Sequence, residues 1–125
     1  MKEDVAKGGD DLVWNYIKAT QEVYPGSVLP KSFELTTPTN KIWVHPNATE
    51  HIAEFIQMKA TNFTPEAVRL ATQQELRSLH SAVSESVKNG ITYDKLLEVG
   101  GWELKFSAAR ESGQLPALIH ARLIK

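Results

Sequence analysis

The chain has 125 residues, with 14 Lys plus Arg against 15 Asp plus Glu, 42% hydrophobic residues and no Cys. These numbers predict one compact, water-soluble domain that folds without disulfides, and they exclude thiolate zinc sites and a Cys nucleophile. The formal net charge of -1 excludes an overall basic field for nucleic acid, so any anion site has to be built locally.

No stretch reaches the roughly 18 consecutive apolar residues of a membrane helix, so we expect a cytoplasmic protein with no membrane partner. Residues 1–9 are charged and carry no apolar period, which predicts a flexible lead ahead of a single domain over residues 10–125. Apolar residues then recur at helical spacing behind two Asp residues. This spacing predicts a helix over residues 11–23, which the following Pro-Gly pair ends.

Alternating apolar residues on both sides of a Pro-containing turn predict a β-hairpin over residues 33–45. Pro46 stops the second strand of this hairpin. Asn47 and Glu50 have the spacing of a capping box, so a helix is predicted to start there. A further helical stretch covers residues 64–88, as two helices or as one kinked helix, because a second possible capping box lies inside it.

Strand signals return after residue 90 and are clearest over residues 102–106 and 118–124, with a Gly-Gly turn before the first of these strands. Most of the helical signal therefore precedes most of the strand signal. This order predicts an α+β fold with N-terminal helices packed on one face of a C-terminal antiparallel β-sheet, together with a preceding β-hairpin.

The last two predicted strands divide into faces, because neighbouring side chains on a strand point in opposite directions. Trp102, Leu104 and Phe106 share the core face of the first strand. Strict alternation in the second strand assigns Ile119 to the core and Leu118 to solvent. The same alternation collects these polar residues on the opposite face: Glu103, Lys105, Ser107, His120 and Arg122.

A second polar group lies where the hairpin meets the next helix. His45 ends a strand, and His51 lies in the first turns of the helix, where backbone N–H groups can bind an anion. Two simpler interpretations stay open: His45 caps the helix, and the polar sheet face is an ordinary solvated surface. A metal site built from both histidines and a carboxylate is a further alternative, although no His-x-x-x-His spacing supports it.

Residues 41–51, 101–106 and 115–121 resemble a nuclease-type module that occurs in phage head-morphogenesis proteins and bacterial polymorphic toxins. That module is grouped with the barnase, EndoU, colicin and RelE fold. The resemblance implies a metal-independent, cofactor-free ribonuclease in which helices precede an antiparallel sheet and the exposed sheet face holds the active site. The catalytic positions that it implies are the following: His45, His51, Arg110 and His120.

The resemblance also implies partners. These are RNA, with tRNA as one possibility, an immunity or inhibitor protein, and phage structural proteins. Cleavage by transesterification needs a base for the 2′-hydroxyl and an acid for the leaving oxygen. His120 or His51 is the predicted base, and the remaining one of the two or His45 is the predicted acid.

The extra charge on the phosphate requires cations, and Arg110 with Lys105 is the predicted clamp. Ser107 and Arg122 are predicted to add substrate contacts, and Trp43 either stacks on an unpaired base or belongs to the core. Because a shared fold does not guarantee shared chemistry, a non-catalytic binding or assembly module of a phage structural protein is the alternative. A metal-dependent phosphodiesterase is a third possibility.

Overall fold

A computed structural model of the chain describes residues 12–59, 64–109 and 114–124. The elements in chain order are a 3₁₀ helix (Leu12–Tyr16), strands β1 (Ile17–Ala19), β2 (Phe33–Thr36) and β3 (Lys41–Val44), helices α1 (Pro46–Lys59) and α2 (Pro65–Val87), and strands β4 (Leu97–Val99), β5 (Trp102–Ser107) and β6 (Ala117–Leu123). This part of the chain is α+β, with two α-helices and one six-stranded sheet.

The sheet is mixed, with strand order β1-β2-β3-β6-β5-β4. All neighbouring strands are antiparallel except β3 and β6, which run parallel and pair through Trp43 with Ala117 and Val44 with Leu118. The predicted purely antiparallel sheet is therefore wrong at its centre. The predicted order is also wrong, because three strands precede the helices. A parallel pair needs a long crossover, and both helices with β4 and β5 lie within it.

The predicted helix over residues 11–23 is wrong in the part that the structure describes. Leu12–Tyr16 forms a short 3₁₀ helix, and Ile17–Ala19 forms a strand that pairs with β2 at Leu35 and Phe33. A short isolated helix is only marginally stable, whereas the edge of β2 offers backbone hydrogen-bond partners to an extended segment. Sheet pairing therefore prevails over the helical spacing of the side chains.

Helix α2 is continuous from Pro65 to Val87, which resolves the choice between two helices and one. Thr64 is its N-cap and accepts a hydrogen bond from the Ala67 N–H at 3.2 Å. Thr72 starts no second helix, because its hydroxyl donates to the Val68 carbonyl one turn back. No helix within the described ranges is long and apolar enough to cross a membrane.

The core lies between the two helices and one face of the sheet. Trp102, Leu104 and Phe106 are at most 1% exposed, which confirms their predicted face. Apolar side chains of β2, β3, α1 and α2 complete this core: Phe33, Leu35, Ile42, Val44, Ala48, Ile52, Ile56, Leu76, Leu79, Val83 and Val87. The face of the sheet turned away from the helices, called the open face below, carries the polar residues of the alternating strands.

Strict alternation fails in β6. Lys105 pairs with His120 but Phe106 pairs with Leu118, so Ile119 is an extra residue in a β-bulge. Leu118 is fully buried and Ile119 is half-buried, the reverse of the predicted assignment. The reason is the bulge, which shifts the alternation by one residue. Residues before Ile119 therefore face the side opposite to the one that strict alternation predicts.

Candidate functional site

The open face brings together the polar side chains of β5 and β6. Directly opposed residues in an antiparallel pair share a face, and the register opposes Glu103 to Arg122 and Lys105 to His120. Ser107 opposes Ala117 at the far end of the pair. The polar residues that alternation collected therefore lie on one surface, all half-buried except for the exposed Arg122.

The β-bulge directs His120 to this surface. In a regular strand without the bulge, Leu118 and His120 would lie on the same face of β6, and burial of Leu118 would carry the imidazole into the core. With the bulge, Leu118 and Ala121 are both buried while His120 stays on the open face. Bulges commonly re-aim a side chain next to an active site, and this one does so for an imidazole.

Helix α1 brings a second histidine to the first. Strand β3 ends at Val44 whereas β6 continues to Leu123, and α1, which begins directly after β3, packs against β6. His51 on α1 thereby meets His120. Their ring centroids are 5.5 Å apart and the planes are inclined by 73°, so the rings contact edge to face.

Each imidazole also has its own carboxylate. His120 Nε2 donates to Glu103 Oε1 at 2.9 Å, and both side chains are 27% exposed. His51 Nδ1 lies 3.5 Å from Glu54 Oε1, with exposures of 41% and 72%. The more exposed contact between His51 and Glu54 adds little stability, but both contacts orient the rings. They leave Nδ1 of His120 and Nε2 of His51 as the ring nitrogens available for proton transfer.

Sequence reasoning missed the roles of both carboxylates. Alternation along the strands predicts the correct face for Glu103, which is the face that also carries His120. Glu54 lies three residues after His51, a spacing at which helical side chains are neighbours. Strand alternation and helical spacing therefore indicate Glu103 and Glu54 as the carboxylates nearest to the two histidines.

His45 is the N-cap of α1. Its carbonyl oxygen accepts from the Ala48 and Thr49 N–H groups at 2.9 and 3.2 Å, and its Nδ1 accepts from the Asn47 N–H at 3.0 Å. The helix therefore starts at Pro46 behind a histidine cap, and the predicted capping box at Asn47 is wrong. These contacts match the simpler interpretation of His45, whose Nδ1 is used by the cap.

The other predicted site residues that the structure describes lie on the open face. Lys105 is the cross-strand neighbour of His120, and Arg122 is that of Glu103. Trp43 lies on the open face beside a pocket of about 260 Å³ that Ser107 also lines. Arg110, the predicted phosphate clamp, lies outside the described residues.

The alternative of a metal site requires His45, His51 and a carboxylate to lie close enough to bind the same ion. In residues 12–59, 64–109 and 114–124, no group of three or more His, Asp or Glu side chains is arranged to hold a metal ion.

A scan against models of protein families gives no match to this chain, and a search among curated proteins gives none either. The geometry of the two carboxylate-bound imidazoles is therefore the basis on which a function is proposed.

Proposed function

We propose that the chain is a metal-independent endoribonuclease that cleaves RNA by attack of a 2′-hydroxyl on the neighbouring phosphate. One observation carries this proposal: two imidazoles, each beside its own carboxylate, lie with ring centroids 5.5 Å apart, His120 on the open face of β6 and His51 on the adjacent helix α1. Transesterification needs a base and an acid on the same phosphate, and a pair of histidines can supply both near neutral pH.

His120 is proposed as the base. Its Nε2–H is committed to Glu103, so in the neutral ring the lone pair is on Nδ1, where it can accept the proton of the 2′-hydroxyl. The imidazolium that forms is stabilised by the carboxylate 2.9 Å away, as in a His-Asp pair of a hydrolytic triad. Glu103 is thus a positioning residue that acts through His120.

His51 is proposed as the acid: its Nδ1 lies beside Glu54, and its Nε2 is the nitrogen that donates a proton to the leaving 5′-oxygen. The oxygen departs as a neutral hydroxyl and the phosphate closes to a 2′,3′-cyclic diester. Lys105 and Arg122, on the same face as His120, provide positive charge for the phosphorane. Arg110 stays part of the proposed clamp on the strength of the sequence resemblance.

The resemblance to the nuclease module of phage and toxin proteins supports the same proposal. It extends the proposal to a cytoplasmic RNA substrate such as tRNA and to an immunity protein as a partner. The alternative, a non-catalytic docking module on a phage structural protein, shares the fold but needs no acid-base pair. Expression separates the two, because an active ribonuclease inhibits its host unless an immunity partner is present.

The proposal is tested by incubating the purified chain with RNA in EDTA and analysing the product ends. We expect 2′,3′-cyclic phosphate termini, and losses of roughly 10²- to 10⁴-fold in rate for His51→Ala and for His120→Ala. His80→Gln is the matched control, since His80 donates to the Thr36 carbonyl at 2.9 Å and stacks on Tyr16, apart from His51 and His120. Full activity in both alanine variants would remove the proposed site.

The two roles are distinguished with an RNA whose leaving 5′-oxygen is replaced by sulfur. A thiolate leaves without protonation, so the acid is no longer needed. We expect this substrate to restore the rate of His51→Ala but not that of His120→Ala. Restoration of His120→Ala alone would exchange the two assignments.

A further inference from the structure

Two pockets flank Trp43 on the open face. The pocket on the β2 side has a volume of about 380 Å³ and includes Thr20 and Glu34, whereas the pocket on the β6 side has about 260 Å³ and includes Ser107. Trp43 lines both pockets. The indole therefore stands between two recesses that lie on the same sheet face as His120.

The indole is held in place although it is outside the core. Its neighbours in β3, Ile42 and Val44, are fully buried, whereas Trp43 is half-buried. Its Nε1–H donates to Thr20 Oγ1 at 3.0 Å, and Thr20 Oγ1 lies 2.6 Å from the hydroxyl of the fully buried Ser32. An aromatic ring that is anchored at one edge and accessible to solvent is suited to stacking on an unpaired base.

A carboxylate lies next to this ring. Glu34 is the cross-strand partner of Trp43, and its side chain is 27% exposed. Its contact with Lys41 Nζ is long, at 4.0 Å, and such a surface ion pair holds a carboxylate only weakly. The Glu34 oxygens can therefore accept hydrogen bonds from a ligand that enters the pocket.

We propose that the pocket on the β2 side binds an unpaired guanine, stacked on Trp43 and hydrogen-bonded to Glu34. A carboxylate accepts two parallel N–H donors, and among the four RNA bases only guanine presents two adjacent donors, N1–H and N2–H₂, on its Watson–Crick edge. The inference rests on the proposed function, since it assumes that RNA crosses the open face. Glu34 lies two strands from β6, about 10 Å at the usual strand spacing, so the bound guanine belongs to a nucleotide near the cleaved phosphate.

The test measures binding rather than cleavage. Fluorescein-labelled 2′-O-methyl oligonucleotides, which lack the attacking hydroxyl, carry one guanine, inosine or adenine in an otherwise uridine sequence. By fluorescence anisotropy we expect the guanine oligonucleotide to bind about tenfold more tightly than the adenine one, and inosine, which lacks the 2-amino group, to fall between them. Glu34→Gln should abolish the preference for guanine, because the amide offers only one acceptor oxygen.

Glu98→Gln is the matched control, as an exposed carboxylate on β4 whose removal changes the net charge equally. Equal affinity for guanine and adenine in the unaltered chain, or an unchanged preference in Glu34→Gln, would overturn the guanine site. A guanine preference without RNA cleavage would overturn only the proposed nuclease, and cleavage without base preference would overturn only the guanine site.

Discussion

Replacing Glu103 with Gln tests how the carboxylate acts on His120, because the side chain keeps its size but loses its charge. A hydrogen bond to a charged group contributes about 1.5–3 kcal/mol when buried. An exposed ion pair contributes at most about 1 kcal/mol. Both partners are 27% exposed, which places this contact between the two cases.

We therefore take about 1–2 kcal/mol for the orienting contact. At about 1.4 kcal/mol per tenfold in rate, kcat of Glu103→Gln should fall by roughly 5- to 30-fold. KM should stay within about twofold, because Glu103 is assigned no contact with RNA. The assay is cleavage of a short RNA that carries a fluorophore and a quencher, in EDTA, over a range of substrate concentrations.

A double variant shows whether Glu103 acts through His120. If it does, Glu103→Gln combined with His120→Ala should be no slower than His120→Ala alone. Glu98→Gln is the control for charge on the same face, because Glu98 is the exposed cross-strand partner of Glu103, and it should change kcat by less than about twofold. Multiplicative losses in the double variant, or an equal loss in the control, would refute the positioning role.

Three further predictions concern stability. His45→Ala should lower the free energy of unfolding in urea by about 1 kcal/mol and His45→Asn should recover most of it, whereas equal stability of both variants would contradict the cap. Leu118→Ala should cost about 2–5 kcal/mol and Ile119→Ala less than half as much in thermal unfolding, and the reverse order would contradict the bulge. Gly100→Ala should cost about 1 kcal/mol because φ at this position is +61°, and an unchanged Tm would show that the turn relaxes.

Local patterns predicted the elements whose structure depends on local interactions. The core face of β5 was predicted by alternation at Trp102, Leu104 and Phe106, since one buried face repeats every second residue. The cap at Thr64 and the helical character of residues 64–88 depend on side chains within a few residues of one another, whereas the second possible capping box leaves one helix or two open. The segment over Ile17–Ala19 was mispredicted because its partner, β2, is distant in sequence.

The sequence also predicts some of the polar residues that form the site. Glu103, Lys105 and His120 were assigned to one face from alternation alone. His120 lies on that face for a reason that the alternation does not contain, because strict alternation puts Leu118 on the open face as well. The bulge at Ile119 allows the core to take Leu118 while the imidazole stays outside.

The amino-acid sequence by itself determined the buried face of β5, the cap at Thr64 and the number of imidazoles and carboxylates, because these follow from side-chain type and short spacing. Only the tertiary structure decided that β3 and β6 are parallel neighbours, that α1 lies along β6, and that His51 meets His120. Those contacts join residues dozens of positions apart, and their geometry is set by how the sheet and the helices bury their apolar faces together.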